Sequence, residues 1–194
     1  LVNDQARSIL EDMEISVFKC GLLGSSENIT VVAEIAADYP DIPLIIDPVL
    51  ASGRGDELVN IEMMSAMLEL LFPQSHLITP NSHEARRLVI DSDENFEDIS
   101  IDQCAERLQL LGCQNVLITG THENTKSVIN TLYLEAKEAI PYYWDRLPGN
   151  YHGSGCTLTS AIAGYLAQGL SLELAVEHAQ HYTWQALKNA FKPG

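Results

Sequence analysis

Short, uninterrupted apolar runs alternate with longer amphipathic segments along most of the chain, and this alternation limits the fold more than any other feature. Residues 43–47, 76–79 and 116–119 are brief apolar runs, each followed by Pro or Gly. Runs without polar alternation are typical of strands whose two faces are both covered. Because helical patterns separate them, we predict an α/β fold with a mostly parallel central sheet and helices on both faces.

The remaining pattern assigns the other elements. Apolar spacings of three and four residues predict helices over 3–13, 27–39, 61–71, 82–89, 101–111, 155–168 and 172–191. Ser100 is the expected N-cap of the fifth of these helices. A further strand is predicted over 15–20, and residues 127–134 and 138–144 form a candidate β-hairpin.

The composition excludes several classes of function. The 194 residues carry 11 Lys and Arg against 27 Asp and Glu, which gives a formal net charge of −16. Such a chain repels phosphate backbones, which argues against a nucleic-acid partner. No apolar run is long enough to cross a bilayer, and the widely spaced cysteines contain no Cys-x-x-Cys pair. We therefore expect one cytoplasmic domain over residues 1–194, with no membrane, zinc or disulfide role.

The segment 152–157, with the sequence HGSGCT, precedes a predicted helix and is the sharpest local feature. Glycines there let backbone N–H groups converge on a ligand, and the positive helix N-terminus suits phosphate or a developing negative charge. Cys156 falls in the first helical turn, where we expect a lowered thiol pKa. It is a candidate base, or a nucleophile with His152 as its partner. The alternative is a glycine-rich turn followed by a small buried cysteine.

Asn81 and Glu84 lie three residues apart at the predicted start of a helix, directly after a strand and Pro80. Their spacing puts both on one face, where an amide and a carboxylate can hold a hydrated magnesium ion. The competing interpretation is an ordinary helix N-terminus, where Asn and Glu are favoured as cap and first-turn residues. The sequence alone favours the second interpretation.

Two further strand ends carry polar residues. Asp47 is placed to face a metal ion or a phosphoryl group, with Gly53 in the loop that follows, or it forms a simple Asp-Pro turn. Thr119 and Gly120 are placed to contact phosphate oxygens, or they form a plain turn. Because ligands bind at the carboxyl ends of parallel strands, we expect all of these residues at one edge of the sheet.

Taken together, four segments resemble the hydroxymethylpyrimidine phosphate kinase family of the ribokinase-like superfamily. They are residues 19–23 (KCGLL), 47–50 (DPVL), 78–85 (ITPNSHEA) and 152–158 (HGSGCTL), in the order in which the family has them. The Gly-Ser-Gly-Cys signature is the most specific. Its Cys stands where most of the superfamily carries a catalytic Asp, which indicates the pyrimidine-kinase branch.

The resemblance implies ATP- and Mg²⁺-dependent phosphorylation of hydroxymethylpyrimidine phosphate in thiamine diphosphate biosynthesis, and in some members of hydroxymethylpyrimidine itself. By the same resemblance Cys156 takes the base position, and the anion hole for the transferring phosphoryl group is formed by the N–H groups of Gly153, Ser154, Gly155 and Cys156. A phosphate acceptor is already largely ionised near neutral pH, so a strong base is hardly needed. The nucleotide-binding residues implied are Asn81, Glu84, Thr119 and Gly120, with Glu84 and Asp47 near the metal through water.

Two departures from the family pattern qualify this expectation. The family's Lys-Gly-Gly-His is Thr-Gly-Thr-His at residues 119–122 here, so nucleotide contacts are expected to differ in detail. Family members also carry an N-terminal segment before the region that matches Leu1, with the first strand and much of the pyrimidine pocket, and a short C-terminal extension. We therefore expect an incomplete kinase domain that lacks these segments.

Three alternatives to the pyrimidine kinase stay open at this point. One is a pyridoxal kinase-type activity, since pyridoxal is a similar ring alcohol, although the Cys in place of Asp argues against it. Another is a folded nucleotide-binding fragment without turnover. The third is a Cys-dependent hydrolase that uses His152 and Cys156. The family resemblance also suggests a homodimer.

Overall fold

A six-stranded sheet in strand order β1 to β6 forms the centre of the molecule. The computed structural model describes residues 1–52, 55–91, 93–149 and 151–191, so Gly53 lies outside the described residues. The strands are β1 (Phe18–Cys20), β2 (Leu44–Ile46), β3 (Ser75–Ile78), β4 (Val116–Ile118), β5 (Ser127–Tyr133) and β6 (Ile140–Asp145). The first four run parallel, while β5 and β6 form the predicted antiparallel hairpin. The prediction of a mostly parallel sheet is confirmed.

Helices occupy the predicted segments. They are α1 (Val2–Asp12), α2 (Ser26–Asp38), α3 (Ile61–Ala66), α4 (Ser82–Val89), α5 (Ile101–Leu110), α6 (Ser154–Ala167) and α7 (Leu172–Lys188). The α5 helix begins after Ser100, whose hydroxyl accepts the Gln103 N–H at 3.2 Å, as an N-cap should. The helix α3 is shorter than predicted and ends at Ala66. The chain then forms a π-helical turn over Met67–Leu71 and a 3₁₀ turn over Phe72–Gln74, which contains Pro73. Proline lacks the N–H that an α-helix would need there.

The predicted strand over 15–20 is also shorter in the structure. Pairing with β2 begins only at Phe18, which lies opposite Leu44 and donates its N–H to the Pro43 carbonyl at 2.9 Å. Pro43 has no N–H to continue the ladder backwards, so the parallel pairing cannot extend toward Ile15.

Two apolar layers cover the two faces of the sheet, and alternate strand residues point into each. Leu44, Ile46 and Ile78 pack with helices α2 to α5, and Ile45 and Leu77 pack under α6 and α7. All five side chains are at most 2% exposed. This arrangement explains why the central strands read as continuous apolar runs, since neither face meets water.

The carboxyl ends of the central strands meet at one edge of the sheet. Asp47 follows β2, Thr79 follows β3 and Thr119 follows β4, in neighbouring positions of the strand order. The start of α6 approaches the same edge, because Gly155 lies next to Asp47. Across the described residues, none of the helices has both the length and the apolar character needed to span a membrane.

Candidate active site

The start of α6 is an open array of backbone N–H groups. Gly153 is the N-cap, with φ +78° in the left-handed region that glycine adopts without strain, and no side chain caps the helix. The Thr157 N–H and hydroxyl both donate to the Gly153 carbonyl, at 2.9 and 2.8 Å. The N–H groups of the residues between them have no intrahelical acceptor, and Gly155 and Cys156 are exposed. An anion can therefore meet these donors directly.

A hydroxyl pair fixes this helix start against the sheet. Thr159 Oγ1 lies 2.8 Å from Thr79 Oγ1 and donates to the Gly155 carbonyl at 3.0 Å. Thr79 in turn donates its N–H to the Ile46 carbonyl at 2.9 Å, which continues the sheet ladder. Sequence reasoning missed Thr159, although a threonine on the inner face of a helix, one turn after Gly155, was a usable signal.

Asp47 is a buried carboxylate beside this array. It is 4% exposed, and its N–H donates to the Cys20 carbonyl at 2.8 Å, so the strand ladder sets its position. Burial raises the pKa of Asp47, while the neighbouring Cys156 and the Lys19 ammonium act in the opposite direction. Lys19 Nζ lies 3.8 Å from Asp47 Oδ2, an oxygen that is buried and has no hydrogen-bond partner among the described residues. Sequence reasoning assigned no role to Lys19, and the structure makes it the counter-ion of Asp47.

The expectation of a lowered thiol pKa for Cys156 is wrong. Burial raises the pKa of Cys156, and the thiol's hydrogen bond to Asp47 and the charge of that carboxylate raise it further, while Lys19 lowers it. Burial and the adjacent carboxylate together therefore outweigh the helix N-terminus. Near neutral pH this side chain is a thiol, which can donate a hydrogen bond but cannot accept a proton.

The competing helix-cap interpretation of Asn81 and Glu84 is confirmed. Asn81 Oδ1 accepts the Glu84 N–H at 2.9 Å and Glu84 Oε2 accepts the Asn81 N–H at 2.9 Å, a reciprocal capping box. Glu84 Oε1 also accepts the Leu50 N–H at 3.3 Å, which ties α4 to the loop after β2. Burial raises the pKa of Glu84 to about 7, and the nearby Asp47 charge adds to this. Glu84 can therefore cap the start of α4 and also lie near a metal ion.

The carboxylates of Asp47 and Glu84 fit a hydrated magnesium ion. No cluster of three or more metal-binding side chains occurs in the part of the chain that the structure describes. Magnesium, however, binds through one or two carboxylates and keeps several waters. The Asp47 Oδ2 atom lacks a hydrogen-bond donor, and a cation would favour the ionised form of Glu84. Both observations are consistent with a cation held between them.

Thr119 and Gly120 continue β4 beyond its last paired residue. The Thr119 N–H donates to the Pro80 carbonyl at 3.0 Å, and its carbonyl accepts the Ser82 N–H at 3.0 Å. Gly120 is buried and donates its N–H to Asn130 Oδ1 at 3.1 Å. That N–H is therefore occupied within the protein, and Thr119 is left as the residue whose side chain can meet a nucleotide.

The structure does not bring His152 and Cys156 together. The thiol meets Asp47, while His152 is exposed and has no hydrogen bond or ring contact among the described residues. The arrangement that a Cys–His nucleophile requires is absent from the described part of the chain. His122, the last residue of the Thr-Gly-Thr-His segment, stacks on the His83 ring with centroids 4.6 Å apart.

Comparisons with known proteins find similar sequences and a similar fold. A family model described as phosphomethylpyrimidine kinase matches residues 1–194. A bifunctional thiamine biosynthesis protein of Geobacter sulfurreducens is 35% identical over 97% of this chain and 38% of its own length. A crystallised phosphomethylpyrimidine kinase of Clostridium difficile superposes with a TM-score of 0.79 at 28% identity, over 95% of this chain and 74% of that one.

A second solved structure is similar to this fold. The ADP complex of Bacillus subtilis pyridoxal kinase superposes with a TM-score of 0.85 at 26% identity, over 98% of this chain and 70% of that one. Among the bifunctional relatives, the chain spans between 34% and 38% of their length.

Proposed function

The chain belongs to the phosphomethylpyrimidine kinase family, and from this we propose that it transfers the γ-phosphoryl group of ATP to hydroxymethylpyrimidine phosphate in thiamine diphosphate biosynthesis. Hydroxymethylpyrimidine itself is the second acceptor that we propose. The proposal includes the nucleotide and Mg²⁺ as obligatory partners of the reaction.

One observation carries the proposal: the uncapped N-terminus of α6 opens beside Asp47 at the carboxyl edge of the sheet. Its N–H groups are donors already in place for a group that gains negative charge in transfer. Phosphoryl transfer is catalysed mainly by such positioning and charge stabilisation. We assign the anion hole to Gly153, Ser154, Gly155 and Cys156.

The other assignments follow the strand order. Asn81 and Glu84 lie after β3 and Thr119 after β4, so a nucleotide can run along the edge away from α6. We assign these residues to the nucleotide, with Gly120 shaping the loop that presents Thr119. Asp47 and Glu84 would hold Mg²⁺ through water, and the ion would supply charge neutralisation for the phosphate oxygens.

Cys156 acts in this proposal as a hydrogen-bond donor. Its raised pKa keeps the proton on sulfur near neutral pH. A phosphate acceptor arrives with its oxygen already ionised, so no base is needed for that acceptor. The alcohol of hydroxymethylpyrimidine does need one, and Asp47 is the carboxylate nearest to the thiol.

Acceptor-dependent ADP release tests the proposal. The protein is incubated with Mg²⁺ and ATP, with and without hydroxymethylpyrimidine phosphate, and the product is identified by ³¹P NMR as a diphosphate. We expect ADP only with the acceptor and loss of turnover when EDTA removes Mg²⁺. Binding of ADP without any turnover would instead identify a nucleotide-binding fragment, and activity that survives EDTA but not thiol alkylation would identify a hydrolase.

A pyridoxal kinase activity is the second candidate, and the superposition on the Bacillus subtilis enzyme at TM-score 0.85 favours it. The same assay with pyridoxal as acceptor separates the two. We expect the larger kcat/KM for the pyrimidine phosphate, and the reverse order would assign the chain to pyridoxal.

The homodimer, the cytoplasmic location and the absence of a nucleic-acid partner stay predictions from the sequence. Light scattering on the purified protein measures the first of these directly.

A further inference from the structure

A chain of hydrogen bonds runs from the loop after β4 into the interior. Gly120 donates its N–H to Asn130 Oδ1 at 3.1 Å, and Asn130 Nδ2 donates to Gln180 Oε1 at 2.8 Å. Trp144 Nε1 donates to the same Gln180 oxygen at 3.0 Å. Asn130 and Gln180 are 8% and 3% exposed, so water does not compete for these bonds. The chain connects the loop to β5, β6 and α7.

Only one orientation of the Gln180 amide satisfies this network. Its two donors, from Asn130 and Trp144, both point to Oε1. A flipped amide would place an NH₂ group against two N–H donors. The observed orientation leaves Gln180 Nε2 buried without a hydrogen-bond partner among the described residues, which is costly. The Gln180 amide therefore keeps this orientation, because the N–H groups of Asn130 and Trp144 both need an acceptor.

Gly120 depends on this orientation for its own position. A Cβ at Gly120 would lie 2.1 Å from the Ile129 carbonyl oxygen, so the loop lies directly against β5. With Gln180 as its acceptor, Asn130 must turn Oδ1 toward Gly120. This contact holds the chain on one side of Thr119, whose own N–H and carbonyl are bonded to Pro80 and Ser82.

We propose that Asn130 and Gln180 are positioning residues that set the affinity of this site for nucleotides by fixing the loop at Thr119 and Gly120. The inference rests on the proposed function. Both side chains are buried behind this loop, so we place neither in contact with the nucleotide. Their effect is on nucleotide binding and not on the phosphoryl-transfer step.

A matched set of variants isolates the acceptor at position 180. Gln180→Met has a similar length but its sulfur is only a weak acceptor, whereas Gln180→Glu keeps a strong acceptor for both donors. Thr183→Val is the control, because Thr183 is buried on the same helix and its hydroxyl has no hydrogen-bond partner among the described residues. Calorimetry measures ADP binding, steady-state assays measure kcat and the KM for ATP, and circular dichroism shows that each variant is folded.

We expect Gln180→Met to weaken ADP binding and raise the KM for ATP by about tenfold, with kcat nearly unchanged. Gln180→Glu should bind ADP within about twofold of Thr183→Val. Asn130→Asp places an oxygen against Gln180 Oε1, so it should weaken ADP binding as Gln180→Met does. It replaces Gln180→Met in the test if that variant does not fold.

Three results would overturn the proposal. The first is unchanged ADP affinity in both Gln180→Met and Asn130→Asp. The second is an equal loss of kcat and affinity in all variants, including Thr183→Val. The third is failure of the unmodified protein to bind ADP at all, which would reject the proposed function itself and is seen before any variant is made.

Discussion

The thiol of Cys156 lies against the carboxylate of Asp47, across the gap between the start of α6 and the end of β2. The sequence signature alone predicts the opposite protonation state for Cys156, a reactive thiolate stabilised by a helix N-terminus. Burial of the thiol and its contact with a buried carboxylate keep the proton on sulfur instead. The candidate site is consequently an anion hole with a protonated thiol in it.

Alkylation tests this state of Cys156. Iodoacetamide reacts with thiolates, and the pKa of Cys156 is raised, so we expect slow modification near neutral pH and acceleration only in alkaline buffer. Asp47→Asn removes the negative charge and should increase the rate at neutral pH. Peptide mass spectrometry separates Cys156, which is exposed, from the buried Cys104 and Cys113. Rapid modification of the unmodified protein near neutral pH would contradict the assignment.

Side chains at Gly155 should block phosphoryl transfer in proportion to their size. A Cβ there meets only Asp47 Oδ1, at 3.9 Å, so Gly155→Ala should fold and keep much of its activity. Gly155→Leu extends into the space in front of the N–H groups and should lower kcat by at least about 100-fold. Gly164→Leu is the control, because no heavy atom lies within 4 Å of a Cβ at that position of α6. Full activity in Gly155→Leu, measured by ADP release, would reject the anion hole.

The buried carboxyl of Glu84 should make stability depend on pH. Burial raises the folded-state pKa of Glu84 to about 7 from an ordinary value of 4.5. The folded state then binds the extra proton, so this contribution is fully present below about pH 4.5 and is lost as the pH rises through about 7. The loss amounts to up to about 3 kcal/mol of unfolding free energy.

Urea unfolding between pH 5 and pH 8 (about the range over which this carboxyl titrates) measures that dependence. Glu84→Gln should flatten the decline, whereas Glu11→Gln, at an exposed position of α1, should leave it as it is. Equal slopes in Glu84→Gln and the unmodified protein would show that this carboxyl titrates normally.

The adjacent arginines of α4 should differ sharply in their contribution to stability. Arg86 forms a two-pronged ion pair with Glu123, Nη1 to Oε1 at 2.6 Å and Nη2 to Oε2 at 3.1 Å, and its side chain is 10% exposed. Arg87 pairs with Glu57, whose side chain is 72% exposed. Removing Arg86 leaves the Glu123 carboxylate, whose side chain is 29% exposed, without its partner, while exposed pairs contribute little.

We therefore expect Arg86→Met to lower the free energy of unfolding by about 3 kcal/mol, and Arg87→Met by less than about 1 kcal/mol. Denaturant unfolding of both variants at one pH is the measurement. Similar losses in the two variants would mean that solvent screens the Arg86 pair as effectively as the Arg87 pair.

The strand–helix alternation predicted most of the fold because it reflects burial, which side-chain type records directly. Short continuous apolar runs such as Leu44–Ile46 are typical of strands covered on both faces. The capping box of Asn81 and Glu84 was predictable for a related reason, since a helix cap is a contact between residues close in sequence. The predicted bounds were wrong for β1 and α3, which are both shorter than expected. Pro43 and Pro73 lie beside these ends, and neither proline has an N–H with which to continue the regular pattern.

The sequence by itself determined the class of fold, the glycine-rich helix start and the place of Asp47, Asn81 and Thr119 at strand ends, because each depends on local pattern or on the general rule for parallel sheets. Only the tertiary structure decided how those residues act. The charge state of Cys156 depends on Asp47, the position of Gly120 depends on Asn130 and Gln180, and the buried charge of Asp47 depends on Lys19. These partners lie far apart along the chain, and electrostatic and hydrogen-bond energies depend on distance and burial in space, which spacing in the sequence does not record.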